Sequence, residues 1–435
     1  MFNIGTDNLF SQIPSLQGMK GGIVKSAGGD KFIWASVILL TLISLLVVYS
    51  ATGSLAYKIY KGNTEIYLFK QLATIFFGIF LVYIAHRINY LWYSRIALWF
   101  ILLAGPALIF TYFFGAKIND GSRWIMLPGI KLTIQTSDFA KLALFMYLSR
   151  LLSKSQHYIK DFRKGFLPML FWVALICGLI MPANLSTALL TGATALVLMF
   201  IGRVSYKHIA LTIFVALIPI TFLVLLAMAT NNAETINTKS KKEVAAEKFK
   251  SIGRVGTWIS RIQSYMNSTD QDVPYQVQQS KIAIAKGGMF MGLGPGNSQQ
   301  RNFLPHPYSD FIYSIIIEEY GLLGGAFVIF VYLIFLFRCI TIFRKCPYAF
   351  GAFLALALSF SLVIQAMANM AVAVNLLPVT GVTLPLVSMG GSSLIFTCIS
   401  IGIILSVSRN VEESEGKLTP EPILENQEEG GGDDE

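Results

Sequence analysis

The chain has 435 residues, 54% of them hydrophobic and only 13% charged, with a mean hydropathy of +0.61. A soluble globular chain carries about 25% charged residues, so this composition excludes a water-covered surface and points to a membrane protein. The net charge of +10 is scattered through short connections, which argues against nucleic acid as a partner and fits loops lying against anionic lipid.

Residues 1–32 are polar and Gly/Ser-rich, without the apolar stretch of a cleavable signal peptide. The first span is therefore expected to act as its own insertion signal. Apolar runs near 20 residues match the hydrocarbon core, and in lipid the backbone must satisfy its own hydrogen bonds, so each run reads as a helix. Spans are predicted near 33–51, 68–86, 92–114, 137–153, 166–182, 184–203, 208–229, 311–337, 349–376 and 385–407. The fold class is all-α and polytopic, a membrane domain over 33–408 with about ten helices.

Placing the N-terminus in the cytoplasm puts Arg87, Arg150, Lys154, Lys160, Arg163, Lys164, Arg203, Lys207, Arg338, Arg344, Lys345 and Arg409 inside. The short outer loops then carry only Lys58, Lys61, Lys117, Arg123 and Lys131, a bias that predicts both termini inside. Residues 230–310 break the rhythm with an outer loop far beyond usual connection lengths. Within it Phe249, Ile252, Val255, Ile259, Ile262 and Met266 recur at helical spacing, the pattern of an amphipathic helix either in the membrane interface or packed on the bundle. The segment 409–435 is acidic and contains Pro420, Pro422 and Gly430-Gly431-Gly432, and is expected to be a disordered cytoplasmic tail. Cys177, Cys339, Cys346 and Cys398 read as buried free thiols without metal-ligand spacing.

Polar groups inside a bilayer are costly and mark the places to look for chemistry. The strongest cluster opens the eighth span, Leu304-Pro305-His306-Pro307-Tyr308-Ser309-Asp310-Phe311, followed by Glu318-Glu319-Tyr320-Gly321. Asp310 sits where the outer loop enters the membrane, a position suited to a general base and equally to a plain helix cap. Glu318 and Glu319, deeper in the span, suit a buried structural network as well as a substrate role. A second cluster is Gly121-Ser122-Arg123-Trp124 with Gln135-Thr136-Ser137-Asp138 and Lys141. Arg123 and Lys141 could grip a phosphate, or Asp138 and Lys141, three apart on one helix face, could simply pair. Gly287-Gly288, Gly292-Leu293-Gly294-Pro295-Gly296, Pro378 to Pro385 and Gly390-Gly391 supply tight backbone turns.

These residues, in order, resemble the SEDS (shape, elongation, division and sporulation) family of the FtsW/RodA type. The resemblance runs through Tyr49-Ser50-Ala51, Arg123-Trp124-Ile125, Gln135 with Asp138 and Lys141, Tyr275-Gln276 with Gln279-Ser280, and Gly287-Gly288. It continues through Leu304-Pro305, Ser309-Asp310-Phe311-Ile312, Glu318-Glu319 with Gly321, and Leu377 to Gly381 on to Gly390-Gly391-Ser392-Ser393. It implies a peptidoglycan glycosyltransferase of the bacterial cytoplasmic membrane, with lipid II and the growing lipid-linked glycan strand as substrates. It also implies a class B penicillin-binding protein as partner, alongside other division or elongation proteins. The family's essential acid maps onto Asp310, and Arg123, Asp138 and Lys141 match its hydrophilic groove. Ser309 beside the acid, Glu318 deeper in the span and Lys281 in the loop complete the expected substrate-binding set, with Arg254 and Arg261 as further cations. A lipid II flippase and a non-catalytic scaffold are the alternatives. The acidic tail and charged loop favour the division branch over the elongation branch. No cofactor is required by the residues; a divalent cation, Mg or Mn, would serve a pyrophosphate leaving group. The sequence departs from the family pattern at Thr136, at Asp138 (for Glu), and at Asn184, where an acid is customary.

Overall fold

The computed structural model describes residues 28–53, 55, 64–118, 121–126, 133–234, 256, 258, 261, 265 and 274–418. The helices are α1 Lys31–Ala51, α2 Glu65–Arg87, α3 Tyr90–Phe114, α4 Thr136–Lys154, α5 Leu167–Ile180, α6 Leu185–Ile201, α7 Tyr206–Glu234, α8 Tyr275–Gly287, α9 Ile312–Lys345, α10 Ala349–Ala373 and α11 Ser392–Leu418. A helix stands at each of the ten places where the hydropathy predicts a span, and α8 lies in the long loop. Among the described residues seven helices are long and apolar enough to cross a membrane, with α6 and the first part of α7 shorter apolar helices. The protein is a multi-pass helical membrane protein.

The helices start where capping chemistry is available. Asp30 Oδ1 accepts from the Phe32 and Ile33 amides at the head of α1 (2.8 and 3.3 Å), and its Oδ2 accepts from Arg338 Nε of α9 at 2.7 Å. Asn89 Oδ1 accepts from the Leu91 amide to open α3. Asn184 Oδ1 accepts from the Thr187 amide to open α6. Asn and Asp are equivalent caps, so this cap is compatible with either residue at position 184. Asn184→Asp is expected to leave thermal stability nearly unchanged and Asn184→Ala to cost about 1 kcal/mol, read from melting curves of the detergent-purified protein.

α10 and α11 form the inner layer, with 78% and 72% of their apolar windows buried, against 28–44% for the other five long spans. α10 packs on α9, α4 and α6, and α11 on α2. The outer helices turn Trp99, Phe110, Phe113, Phe114 and Phe222 outward, as a lipid-facing surface requires.

Three features depart from the sequence expectation. A three-stranded antiparallel sheet, β1 Ala116–Ile118, β2 Gly121–Met126 and β3 Thr133–Gln135, stands between α3 and α4 in an otherwise helical chain. Its register shifts between Ala116 and Lys117, so Arg123 is the extra residue between the pairs Lys117–Ser122 and Ala116–Trp124. α11 begins at Ser392 rather than 385, because Leu386 and Gly391 adopt φ of 64° and 49° and keep residues 376–391 out of helix. At its far end α11 continues to Leu418, through the first ten residues of the expected disordered tail, where Lys345–Glu415 (3.0 Å) and Arg409–Glu413 (3.6 Å) ion pairs and a bond from the Gly29 amide to Glu412 support it. Residues 419–435, 1–27 and most of the expected amphipathic segment lie outside the described residues.

α9 is two helices joined at Gly321, whose φ of 72° and ψ of −178° belong to glycine. The break frees the Glu318 and Glu319 carbonyls to accept from the Leu293 and Gly294 amides (2.9 and 3.0 Å), while the Leu322 amide donates to Gly288 O. The glycine-rich loop thus docks on α9, and α8 packs along it. A Cβ at Gly287 would stand 2.0 Å from Ile317 O. Gly287→Ala is therefore expected to force the helices apart at a cost of about 1–3 kcal/mol and to lower the melting temperature measurably. An unchanged melting temperature would mean that this contact is not tight in solution.

Candidate active site

Asp310 lies in the last turn before α9, and the residue at the cap position is Phe311, without a side-chain cap bond. The capping role open to Asp310 is thus not what its carboxylate does. Oδ1 accepts from Ser309 Oγ at 2.9 Å, and Oδ2 would lie 3.7 Å from a Cβ on Gly381. Gly381, in the non-helical segment 376–391, has φ +64°, a conformation that favours glycine, and a Cβ there would meet the carboxylate at ordinary van der Waals distance. The same segment is stitched to the Asp310 turn by Met389 N to Tyr308 O (2.9 Å) and Ser388 Oγ to Ser309 O (2.6 Å).

Arg261 reaches this segment from the long loop. Its Nη1 donates to Val379 O at 3.0 Å, and Tyr265 OH, one turn on, donates to Leu376 O at 3.0 Å. Burial lowers the Arg261 pKa and the neighbouring Asp310 charge opposes that shift. Burial together with the Asp310 charge raises the Tyr308 pKa. Asp310 therefore sits within the field of a loop-borne cation. Arg254 lies outside the described residues.

Asp138 and Lys141, both on α4, form an ion pair of 2.8 Å with side chains only 6% and 14% exposed. The two residues line a small cleft together with Leu142, Phe145, Phe396, Gln365, Ser393 and Thr397. Lys141 Nζ also donates to Gln365 Oε1 at 2.9 Å, whereas Asp138 Oδ2 is buried without a hydrogen-bond partner among the described residues. Arg123 enters with its backbone in β2; its side chain is outside the described residues. β3 leads into α4, and its Gln135 amide is held by Ser392 Oγ at 3.0 Å, which sets the start of α4 against α11.

Two expected site residues stand apart from this cluster. Glu318 is fully buried, with its carboxylate taking hydrogen bonds from Ser298 Oγ and the Gln299 and Gln300 amides. Glu319 accepts from Ser50 Oγ and the Ser298 amide. Of the two readings for this acidic pair, the buried network is the one the geometry carries. Lys281 is exposed on α8, outside the cleft that Asp138 and Lys141 line. Among the described residues no group of three or more His, Cys, Asp or Glu side chains could hold a metal ion.

Sequence reasoning missed Gln365 and Asn369. Gln365 and Asn369 are amides in the apolar α10 span, and the cost of polar groups in a bilayer was signal enough to single them out.

The family described as "Cell cycle protein", FTSW_RODA_SPOVE, matches residues 30–413. The chain is 31% identical over 401 residues to the "Probable peptidoglycan glycosyltransferase FtsW" of Bacillus subtilis, covering 89% of this chain and 92% of that one. It is also 31% identical to the "Stage V sporulation protein E" of the same organism, over 88% of this chain and 98% of that protein. Its fold resembles that of a peptidoglycan synthase complex described for coordinating polymerization and crosslinking, at a TM-score of 0.62, 20% identity, and coverage of 88% of this chain and 98% of the other. The rod shape determining protein RodA of Thermus thermophilus has the same fold at a TM-score of 0.61 and 19% identity, over 88% and 97% of the two chains. The chain belongs to the FtsW/RodA/SpoVE family, the SEDS family, and is a peptidoglycan glycosyltransferase of cell-wall synthesis.

Proposed function

We propose that the protein polymerises lipid II into glycan strands at the outer face of the bacterial cytoplasmic membrane, with Asp310 as general base. The single observation that carries this is the Asp310 carboxylate itself, which caps no helix and stands beside the Gly381 backbone at the end of the bundle bearing the long loop. The carboxylate takes the proton from the 4-hydroxyl of the incoming lipid II sugar. That oxygen forms a bond to the anomeric carbon of the lipid-linked strand as the bond from that carbon to the pyrophosphate breaks. The leaving group departs as undecaprenyl pyrophosphate, and its charge calls for cations. Lys141, Arg123 and Arg261 fill that role, Ser309 orients the base, and Asp138 holds Lys141 in place.

In this reading both termini are cytoplasmic, residues 230–310 face outward, and a class B penicillin-binding protein cross-links the product. The acidic C-terminal residues and the charged loop favour a role in division. The deciding experiment supplies purified lipid II to the detergent-solubilised protein with its cognate transpeptidase. Long strands are the expected product. Lipid II transport into vesicles without strand formation would favour a flippase, and neither activity from an intact complex would favour a scaffold.

A further inference from the structure

Gln365 and Asn369 stand one turn apart on α10 and so share one face. Each amide joins two different parts of the site. Asn369 Nδ2 donates to Asp310 O at 2.9 Å and to Val382 O at 2.7 Å. Gln365 Nε2 donates to Thr383 O at 3.0 Å, and its Oε1 accepts from Lys141 Nζ at 2.9 Å. Val382 and Thr383 are consecutive, so the two amides grip successive carbonyls of the non-helical segment 376–391. One arm extends from this grip to the carboxylate-bearing residue and the other to the buried cation.

Non-helical backbone at membrane depth must find hydrogen-bond partners within the protein, and the amides supply donors to these carbonyls. That alone would make them structural. Their second bonds go further, because they run to Asp310 and to Lys141 rather than to more backbone of the same segment. We propose that Gln365 and Asn369 are positioning residues that fix the spacing between the Asp310 base and the Lys141 cation, using the Val382–Thr383 backbone as a shared reference. The inference rests on the roles given to Asp310 and Lys141 above. Asn369 acts through the base, and Gln365 acts through the cation that holds the substrate.

The two arms separate in steady-state kinetics of strand synthesis from lipid II, measured on the full-length protein with its cognate transpeptidase. Asn369→Ala lets the Asp310 turn drift, and a misplacement of about 1 Å is expected to lower kcat by about 100-fold with KM held within about two-fold. Asn369→Ser, which keeps one donor, is expected to recover part of that loss. Gln365→Met removes the bonds to Lys141 and to Thr383 O together, leaving Lys141 to Asp138 alone, and is expected to raise KM for lipid II by about ten-fold or more. Gln365→Glu keeps an acceptor for Lys141 but cuts the link to Thr383 O, so KM is expected to stay raised as in Gln365→Met. A residue that only held Lys141, without reference to the Val382–Thr383 backbone, would show KM restored in Gln365→Glu. That result would overturn the proposal, as would an Asn369→Ala kcat equal to wild type, or losses that merely follow the fall in melting temperature. Asp310→Asn measured in the same series keeps the two levels apart. Full activity in Asp310→Asn removes the base itself, whereas an inactive Asp310→Asn beside a fully active Asn369→Ala removes only the positioning role.

Discussion

Asp310→Asn is expected to reduce the initial rate of strand synthesis by about 1,000-fold, within the span that general acid–base groups contribute. The substitution is a narrow one. The amide oxygen of asparagine can still accept from Ser309 Oγ, the volume is unchanged, and the bond from Asn369 goes to the backbone carbonyl of residue 310 and survives. What is lost is the capacity to take a proton from the attacking hydroxyl. Melting temperature and co-purification of the transpeptidase should therefore match wild type. A rate within a few-fold of wild type would remove Asp310 from the chemistry and shift the search to another proton acceptor.

The second large effect concerns the Asp138–Lys141 pair. Removing one member of a buried ion pair leaves the other charged and unsolvated, at a cost of about 3–5 kcal/mol. Asp138 is poorly placed to tolerate this, since one of its oxygens already lacks a partner among the described residues and the other accepts from Lys141. Lys141→Met should lower the melting temperature sharply and abolish strand synthesis. Asp138→Asn combined with Lys141→Met removes both charges and is expected to recover most of the stability while remaining inactive, because the cation proposed to meet the pyrophosphate is still missing. A double variant that polymerises lipid II would show the pair to be purely structural. Lys141→Met as stable as wild type would show that the cleft is wetter than its burial implies.

Most of this architecture was legible in the sequence because the bilayer imposes a single requirement, helices near 20 residues long with apolar sides. The ten predicted runs each became a helix, with boundaries moved by local chemistry that hydropathy does not register. Leu386 and Gly391 keep residues 385–391 out of α11, and charge pairs such as Lys345–Glu415 carry that helix seven residues or more past the apolar run. The sheet at 116–135 was hidden because its strands are short and lie between two spans, where hydropathy averages over them. Asp310, Asp138 and Lys141 stood out as charges in apolar surroundings. Gln365 and Asn369 are uncharged and passed unnoticed, although their hydrogen bonds cross 18 to 224 and 13 to 59 positions of sequence respectively. The choice between a cap and a free carboxylate at residue 310, and between network and substrate at Glu318, needed coordinates. Both depend on where residues distant in the chain come to rest.

The buried acids of α9 also bear on how the chain is made. Among the described residues, the groups that hydrogen-bond the Glu318 and Glu319 carboxylates, Ser50, Gly296, Ser298, Gln299 and Gln300, precede them in the sequence. Synthesis runs from the N-terminus, so when these two acids emerge from the ribosome all of those partners already exist. The Asp30–Arg338 and Lys141–Gln365 contacts differ, because each waits for a residue translated more than 200 positions later. The half of α9 that carries Glu318 and Glu319 can be completed as it is inserted, while Asp30 waits for the far end of α9 and the cleft waits for α10 and α11.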